Sequence, residues 1–250
     1  MSSMTISWIF FGVAFGGALL GMALRALLPA HHLSEESKDV VKLGMGLIGA
    51  IAALVLGLLV TSAKSSFDAQ TNGLAQLATN LTLMDRILAH YGPETKDIRE
   101  ELRELVAALI HQIRPEDRDH GEQVEPTTVS ERLYDGIQGL SPKTEAQRSL
   151  QAAALASAIE VAKTRWLLSA QRVSSIPTAF LVILTFWIAI LFASFSLCAR
   201  PNLTVVVSLL FCALSVAGAI FLILEMDRPY SGMIRLSSDP LRRALAQLGR

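Results

Sequence analysis

The sequence predicts an all-α membrane protein, with four transmembrane helices in two hairpins and a cytosolic helical insert between the hairpins. Hydrophobic residues make up 52% of the 250 residues, and charged residues make up only 18%. Four stretches carry no charge, and each supplies the roughly 20 apolar residues that a helix needs to cross a bilayer. Of the 44 charged residues, 28 fall in 65–172. The charge-free stretches are 1–24, 43–63, 173–199 and 201–224.

These stretches divide the chain into two hairpins, an insert and a tail. The insert should continue the second transmembrane helix without a break. We expect no cleaved signal peptide, because the first stretch is long, has no basic region before it and is followed by Arg25. The expected limits are a first hairpin in 1–64 (helices at about 6–28 and 41–63), the insert in 65–172, a second hairpin in 173–225 (helices at about 176–199 and 202–225) and a cytosolic tail in 226–250.

The basic residues near the ends of these segments predict the orientation. Four crossings place the N-terminus, the insert and the tail on one side of the membrane. By the positive-inside rule, the more basic side is cytoplasmic. The sequence therefore predicts a multi-pass membrane protein with both termini in the cytoplasm. The side with the termini and the insert carries eight basic residues: Lys64, Lys163, Arg165, Arg172, Arg228, Arg235, Arg242 and Arg243. The other side carries four: Arg25, Lys38, Lys42 and Arg200.

Small residues recur at helical spacing in the first two membrane segments. Gly12 and Gly16 form one small-xxx-small pair, Gly17 and Gly21 form another, and the second segment carries a stripe of four. Small residues let helix backbones approach closely, which drives helix association in lipid. Packing within one four-helix bundle and packing between subunits fit this pattern equally well. The stripe consists of Gly46, Ala50, Ala53 and Gly57.

The insert is predicted to be helical. After Pro93, an apolar face recurs at helical spacing over 98–109, and a second long helix starts after Ser141 and Pro142. Between them, 115–126 is a charged stretch bracketed by prolines. The apolar face consists of Ile98, Leu102, Leu105, Val106 and Leu109.

No residue pattern predicts catalysis, a metal site or a cofactor. The sequence contains no nucleophile–base pair, Walker motif, GxGxxG or HExxH. His120 lies among acids, where a solvated loop is the commoner alternative to a metal site. Cys198 and Cys212 lie in apolar segments, where thiols behave as small apolar residues. Because the formal net charge is zero, we expect no nucleic-acid partner.

The second transmembrane helix and its extension present two different faces. Apolar residues spaced by three, four and seven form a seam for packing on other helices, and we expect this seam and the small-residue stripes to hold several subunits together. A second line of residues starts aliphatic and becomes polar. A hydrophobic constriction leading to a polar passage is one way in which pores gate and conduct. Periodicity alone slightly favours the alternative, in which the polar line faces the cytosol. The seam is Phe67, Leu74, Leu77, Leu81, Met84, Leu88 and Tyr91; the constriction is Ile51, Val55 and Leu58; the polar track is Ser62, Ser65, Asn72 and Gln76.

The chain resembles the bestrophin fold, and especially the bacterial bestrophin-like domain family. Three stretches carry the resemblance: "GLLVTSAKSSFDAQ", "LATNLTLMDRILAHYG" and "EMDRPYSGMIRLSSDPLRRAL". The last is similar to that family's acidic-Arg-Pro-aromatic-Ser-Gly motif at the membrane boundary. A solvated tail is the alternative for this motif, which consists of Glu225, Asp227, Arg228, Pro229, Tyr230 and Gly232.

The resemblance implies a passive ion channel in a bacterial inner membrane. Bestrophins proper are homopentameric ion channels whose second helix lines the pore and forms its neck, which here implies Ile51, Val55 and Leu58. This neck is aliphatic, whereas bestrophin necks typically include aromatic rings, and the long acidic run of the animal calcium clasp is missing. The implied partners are further copies of the chain, the lipid bilayer and small inorganic ions. The alternative is a non-conducting scaffold or signalling protein that binds a cytosolic partner through its insert.

Overall fold

The computed structural model describes residues 2–29, 35–113, 126–170, 176–199, 201–227, 234 and 236–249. These residues form eight α-helices and one 3-10 turn, and none of them forms a strand. The predicted all-α fold class is therefore confirmed. The helices are α1 (Ser3–Leu27), α2 (Glu35–Tyr91), α3 (Lys96–Ile113), α4 (Pro126–Gln138), α5 (Glu145–Ala170), α6 (Thr178–Cys198), α7 (Leu203–Met226) and α8 (Asp239–Gln247), with the 3-10 turn at Pro93–Thr95.

Among the described residues, four helices are long and apolar enough to cross a membrane: α1, α2, α6 and α7. α1 and α7 each begin at a polar cap. The Ser2 hydroxyl accepts a hydrogen bond from the Thr5 backbone N–H at 3.1 Å, and the Asn202 side chain accepts one from the Val205 N–H at 2.8 Å. Such caps satisfy N–H groups that the first helical turn leaves without partners.

α2 is one helix of 57 residues, long enough to include both the second apolar stretch and the start of the insert. It ends at Tyr91 and is followed by Gly92, whose φ of 137° favours glycine over residues with a side chain. The buried Thr95 hydroxyl then donates to the Leu88 carbonyl at 2.6 Å. This bond satisfies a carbonyl that the last turn of the helix leaves open.

The chain divides into two compact units, which we describe separately. The apolar unit comprises Met1–Phe67 and Ser174–Ile234, and the insert unit comprises Asp68–Val173 and Arg235–Arg250. Each has its own cluster of buried apolar side chains. α2 contributes to both clusters.

In the apolar unit, α1 and α6 pack closely and run parallel. A Cβ added to Gly17 would lie 2.8 Å from the Ala189 carbonyl oxygen, and one added to Gly21 would lie 2.1 Å from that of Ala193. One turn further, the Arg25 guanidinium donates to the Leu197 carbonyl at 2.7 Å. All three contacts advance by four residues on both helices, which is the register of a parallel pair.

In the insert unit, the seam of α2 fills the core. Leu74, Leu77, Leu81, Met84 and Leu88 are each at most 4% exposed and pack with residues of α3, α4, α5 and α8. The predicted packing seam is confirmed over these five residues. Because helices of the same chain cover it, the expectation that it holds subunits together was wrong. The predicted apolar face of α3 is buried in the same cluster.

The four glycines predicted to mediate helix packing have no close neighbour in the described chain. A Cβ added at any of them meets no atom within 4 Å outside its own helix. The pair that packs within the chain is Gly17 and Gly21, five positions further along α1 than Gly12 and Gly16. Packing between subunits therefore stays the prediction for Gly12, Gly16, Gly46 and Gly57.

Candidate functional site

The predicted constriction lies on the part of α2 that belongs to the apolar unit. Ile51 is 40% exposed and Leu58 is 62% exposed, whereas Val55 is half-buried against the core of the unit. The buried side of this part of α2 carries Ala52, Leu59 and Ala63. Val55 lies at the edge of that buried side, so Ile51 and Leu58 are the outward-facing members of the predicted set.

Two further leucines share this outward face, and the sequence reasoning missed them. Leu47 is 63% exposed and Leu54 is 66% exposed. With Ile51 and Leu58 they repeat at steps of four, three and four, which places all four on one stripe of a helix. The spacing is visible in the sequence. In an almost wholly apolar segment, however, many such stripes exist, and only the pattern of burial separates them.

The polar track continues from the aliphatic stripe on the same helix. Ser62 and Ser65 are exposed in the apolar unit, and Asn72 and Gln76 are exposed in the insert unit. At about 100° per residue, these four residues point within about 60° of Leu58. The leucines of the seam point roughly a third of a turn away from them. α2 thus keeps an aliphatic and then a polar stripe outside both cores.

This arrangement has a direct consequence for any passage along α2. Exposed aliphatic side chains offer an ion no ligand in place of water, whereas hydroxyl and amide groups do. In the part of the chain that the structure describes, the stripe is exposed, so one chain by itself does not enclose a passage there. Several copies placed around an axis could do so.

The boundary motif is described only in part. Glu225 and Asp227, at the end of α7, are 3% and 4% exposed. Both make a hydrogen-bonding or electrostatic interaction, as buried carboxylates require. The solvated-tail alternative does not fit these two residues. Arg228, Pro229, Tyr230 and Gly232 lie outside the described residues.

The insert unit contains a buried ion pair that the sequence reasoning did not identify. The Asp85 carboxylate, on α2, is 2% exposed and accepts two hydrogen bonds from Arg99 on α3, at 2.7 and 3.0 Å. The bond from Arg99 Nε to Asp85 raises the pKa of the guanidinium above its ordinary value. The Gly249 N–H adds a longer contact to the same carboxylate at 3.4 Å. The pair therefore links α2, α3 and the segment after α8.

Metal ligands do not converge in the described parts of the chain, where no group of three His, Cys, Asp or Glu side chains could hold an ion. Both cysteines, Cys198 and Cys212, are free thiols. His120 lies outside the described residues.

Comparison with known proteins gives one family and one fold. The family model described as "Bestrophin-like domain" matches residues 12–241. Two crystal structures of a bacterial bestrophin homologue from Klebsiella pneumoniae, each with one substitution, are similar to the chain. One has a TM-score of 0.69 at 16% identity and covers 100% of this chain and 99% of the other. The second has a TM-score of 0.68 at 15% identity and covers 97% of this chain and 98% of the other. No curated protein sequence matches the chain.

Proposed function

The chain belongs to the Bestrophin-like domain family, and from that premise we propose that it is a passive ion channel. In this proposal, identical subunits surround a pore lined by α2. Bestrophins proper are homopentamers, and five subunits is the number that we propose here. The observation that carries the proposal is the exposed stripe of α2, which is aliphatic at Ile51, Leu54 and Leu58 and becomes polar from Ser62 onwards.

Two features of the single chain support assembly around an axis. The aliphatic stripe has no cover in the described part of the chain, since Leu58 is 62% exposed. On another face of α2, Gly46 and Gly57 are open to a neighbouring helix. We therefore propose that the glycine face packs against adjacent subunits while the aliphatic stripe faces the pore.

The parallel register of α1 and α6 supports the proposed orientation. α1 begins close to the N-terminus and α6 begins after the insert, so two parallel spans start on the same side of the membrane. This fits two hairpins with the N-terminus, insert and C-terminus on one side. The basic residues near the segment ends favour the cytoplasm for that side. We propose the bacterial inner membrane as the location.

Ion flux into proteoliposomes tests the channel proposal. Changing Ile51, Leu54 and Leu58 together to alanine widens the aliphatic constriction and should raise the flux severalfold, because a wider apolar passage stays wet. The matched control changes Leu19, Leu20 and Leu24 of α1 to alanine. These are also exposed leucines of the apolar unit, and the flux should stay unchanged. Flux no greater than in protein-free liposomes for every variant would favour the scaffold alternative.

Assembly is tested separately by changing Gly57 to leucine. The larger side chain forces neighbouring backbones apart and should shift the purified protein from oligomer to monomer, as measured by light scattering during gel filtration in detergent. Leu47→Ala is the control, because it shortens a side chain on the other exposed face. A wild-type protein that is monomeric at every concentration would contradict the proposal.

A further inference from the structure

The helix α5 has an apolar stripe on each of two sides. One stripe is buried in the core of the insert unit and consists of Ala154, Ala158, Val161 and Leu168. The other repeats at steps of three, four, three and four, and at about 100° per residue it lies more than a third of a turn away. We call it the outer stripe of α5, and it consists of Ala152, Leu155, Ile159, Ala162 and Trp166.

The outer stripe is uncovered in the part of the chain that the structure describes. Trp166 is 73% exposed and Ile159 is 54% exposed. Apolar residues at this spacing are the anchors with which a helix binds in an apolar groove of a partner. A tryptophan and an isoleucine exposed together on one helix face therefore indicate a contact surface.

A groove of about 700 Å³ in the insert unit is lined by α2 and α8. The hydroxyls of Thr79 and Thr82 in its lining donate to the carbonyls of Ala75 and Ala78, at 3.0 and 2.9 Å. The groove can therefore accept an apolar side chain without leaving either hydroxyl unpaired. Its apolar lining consists of Ala75, Ala78, Leu83, Pro240 and Ala244.

α5 and the groove lie on opposite sides of α2. A Cβ added to Gly73 would lie 2.9 Å from the Cδ2 atom of Leu168 on α5. The Gln147 side chain of α5 donates to the Tyr91 carbonyl at 3.1 Å. At about 100° per residue, Gly73 and Tyr91 are roughly half a turn away from the residues of α2 that line the groove nearest to α8. Those residues are Ala75, Ala78 and Thr82.

The outer stripe and the groove also lie at the same height along α2. α5 runs antiparallel to α2, because it starts beside Tyr91 and ends beside Gly73. Both helices rise about 1.5 Å per residue, so the part of α5 from Ile159 to Trp166 is level with roughly residues 75–81 of α2. The groove occupies 75–86 of α2. A rotation about an axis that runs along α2 therefore brings the stripe of one copy to the height of the groove of another.

We propose that the outer stripe of α5 in one subunit packs in the α2–α8 groove of the next subunit, with Trp166 as its central side chain. This inference rests on the proposed assembly of identical subunits around an axis that α2 faces. The exposed Asn72 and Gln76 lie between the two sides of α2, so α5 and the groove point to different neighbours when these polar residues face the axis. Repeated contact between two different surfaces of one chain closes into a ring.

Cross-linking of full-length protein in detergent tests this contact. Ala162→Cys and Thr79→Cys are combined in a chain in which Cys198 and Cys212 are changed to alanine. Both new cysteines are small, and Trp166 stays in place. A short bifunctional maleimide should link the chains into a ladder on a denaturing gel, up to the full ring. Either cysteine alone should give no linked chains, because the two surfaces differ.

The matched control replaces Ala162→Cys by Glu160→Cys. Glu160 is also an exposed residue of α5 but lies off the outer stripe, so its combination with Thr79→Cys should give no ladder. The proposal is overturned by equal linking in the control, by linked dimers from Ala162→Cys alone, or by no linking in a double variant that light scattering shows to be oligomeric.

A second measurement needs no cysteine. Trp166→Ala should weaken subunit association about thirtyfold, because tryptophans buried in an interface are frequent hot spots. Light scattering over a dilution series measures it. Leu167→Ala is the control, since Leu167 is 54% exposed on the same helix but lies off the outer stripe. Equal effects of the two changes would contradict the proposal.

Ion flux separates this contact from the channel proposal. Wild-type protein that conducts ions and is oligomeric, but whose double variant gives no ladder, would overturn the contact and leave the channel standing. A ladder from protein that gives no flux would support the contact and contradict the channel.

Discussion

The two parts of α2 differ in the side chains that they bury. In the apolar unit the helix buries Ala52, Leu59 and Ala63 and leaves large aliphatic side chains exposed. In the insert unit it buries four leucines and a methionine and exposes polar residues. The insert unit thus has the usual arrangement of a protein in water, with its apolar seam inside. The first part of α2 needs lipid or another subunit to cover what it exposes.

The same contrast explains what the sequence could predict. In the insert unit, polar residues are interspersed with the apolar ones along α2 and α3, so the spacing of the apolar residues identified the buried seam and the buried face of α3. In the apolar unit nearly every residue is apolar. Burial there depends on which small residues meet, and the sequence offered both Gly12 with Gly16 and Gly17 with Gly21. The contacts with Ala189 and Ala193 of α6 show that Gly17 and Gly21 are the pair that packs within the chain.

Contacts between distant segments were also beyond the sequence reasoning. Asp85 and Arg99 are separated by the end of α2 and a 3-10 turn, and their pairing depends on the angle between α2 and α3. The helix α8 was expected only as part of a tail. Its residues Leu241 and Ala244 are buried in the core of the insert unit, so its packing against α3 becomes visible only in the folded chain.

The largest effect is expected where backbone meets backbone in the apolar unit. In Gly21→Ala the new Cβ would lie 2.1 Å from the carbonyl oxygen of Ala193, and neither backbone can move without separating α1 from α6. We expect a destabilisation of roughly 3 kcal/mol or more. Thermal unfolding in detergent measures it.

Gly218→Ala, on α7 of the same unit, is the matched control. Nothing lies within 4 Å of its added Cβ, so the folded chain should tolerate it, helped by alanine's higher helix propensity of about 1 kcal/mol. If Gly218→Ala destabilised the protein as much as Gly21→Ala, the loss at Gly21 could not be assigned to its contact with Ala193.

A smaller effect is expected from the ion pair of the insert unit. Arg99→Gln leaves the Asp85 carboxylate buried without its charged partner, which typically costs about 3 kcal/mol. The control is Arg132→Gln, whose partner Glu104 lies 3.4 Å away with both side chains about half exposed. An exposed pair of this kind contributes at most about 1 kcal/mol. Chemical denaturation followed by circular dichroism measures the free energy of unfolding of both variants. An equal decrease in the two variants would contradict the buried character of the Asp85–Arg99 pair.

The smallest effect is expected at Gly73, where a glycine of α2 meets a side chain instead of a backbone. A Cβ added there would lie 2.9 Å from the Cδ2 atom of Leu168 on α5. That contact is too close, but the end of a leucine side chain can rotate away, unlike the carbonyl facing Gly21. The gain in helix propensity, about 1 kcal/mol, should nearly offset the cost of moving Leu168. We therefore expect Gly73→Ala to change the free energy of unfolding by less than about 1 kcal/mol. In a Leu168→Ala background the crowding is gone, and the same change should become stabilising. Gly73→Ala could instead lower the free energy of unfolding as much as Gly21→Ala does, with or without Leu168→Ala. That result would show that the insert unit packs its helices on glycine as the apolar unit does.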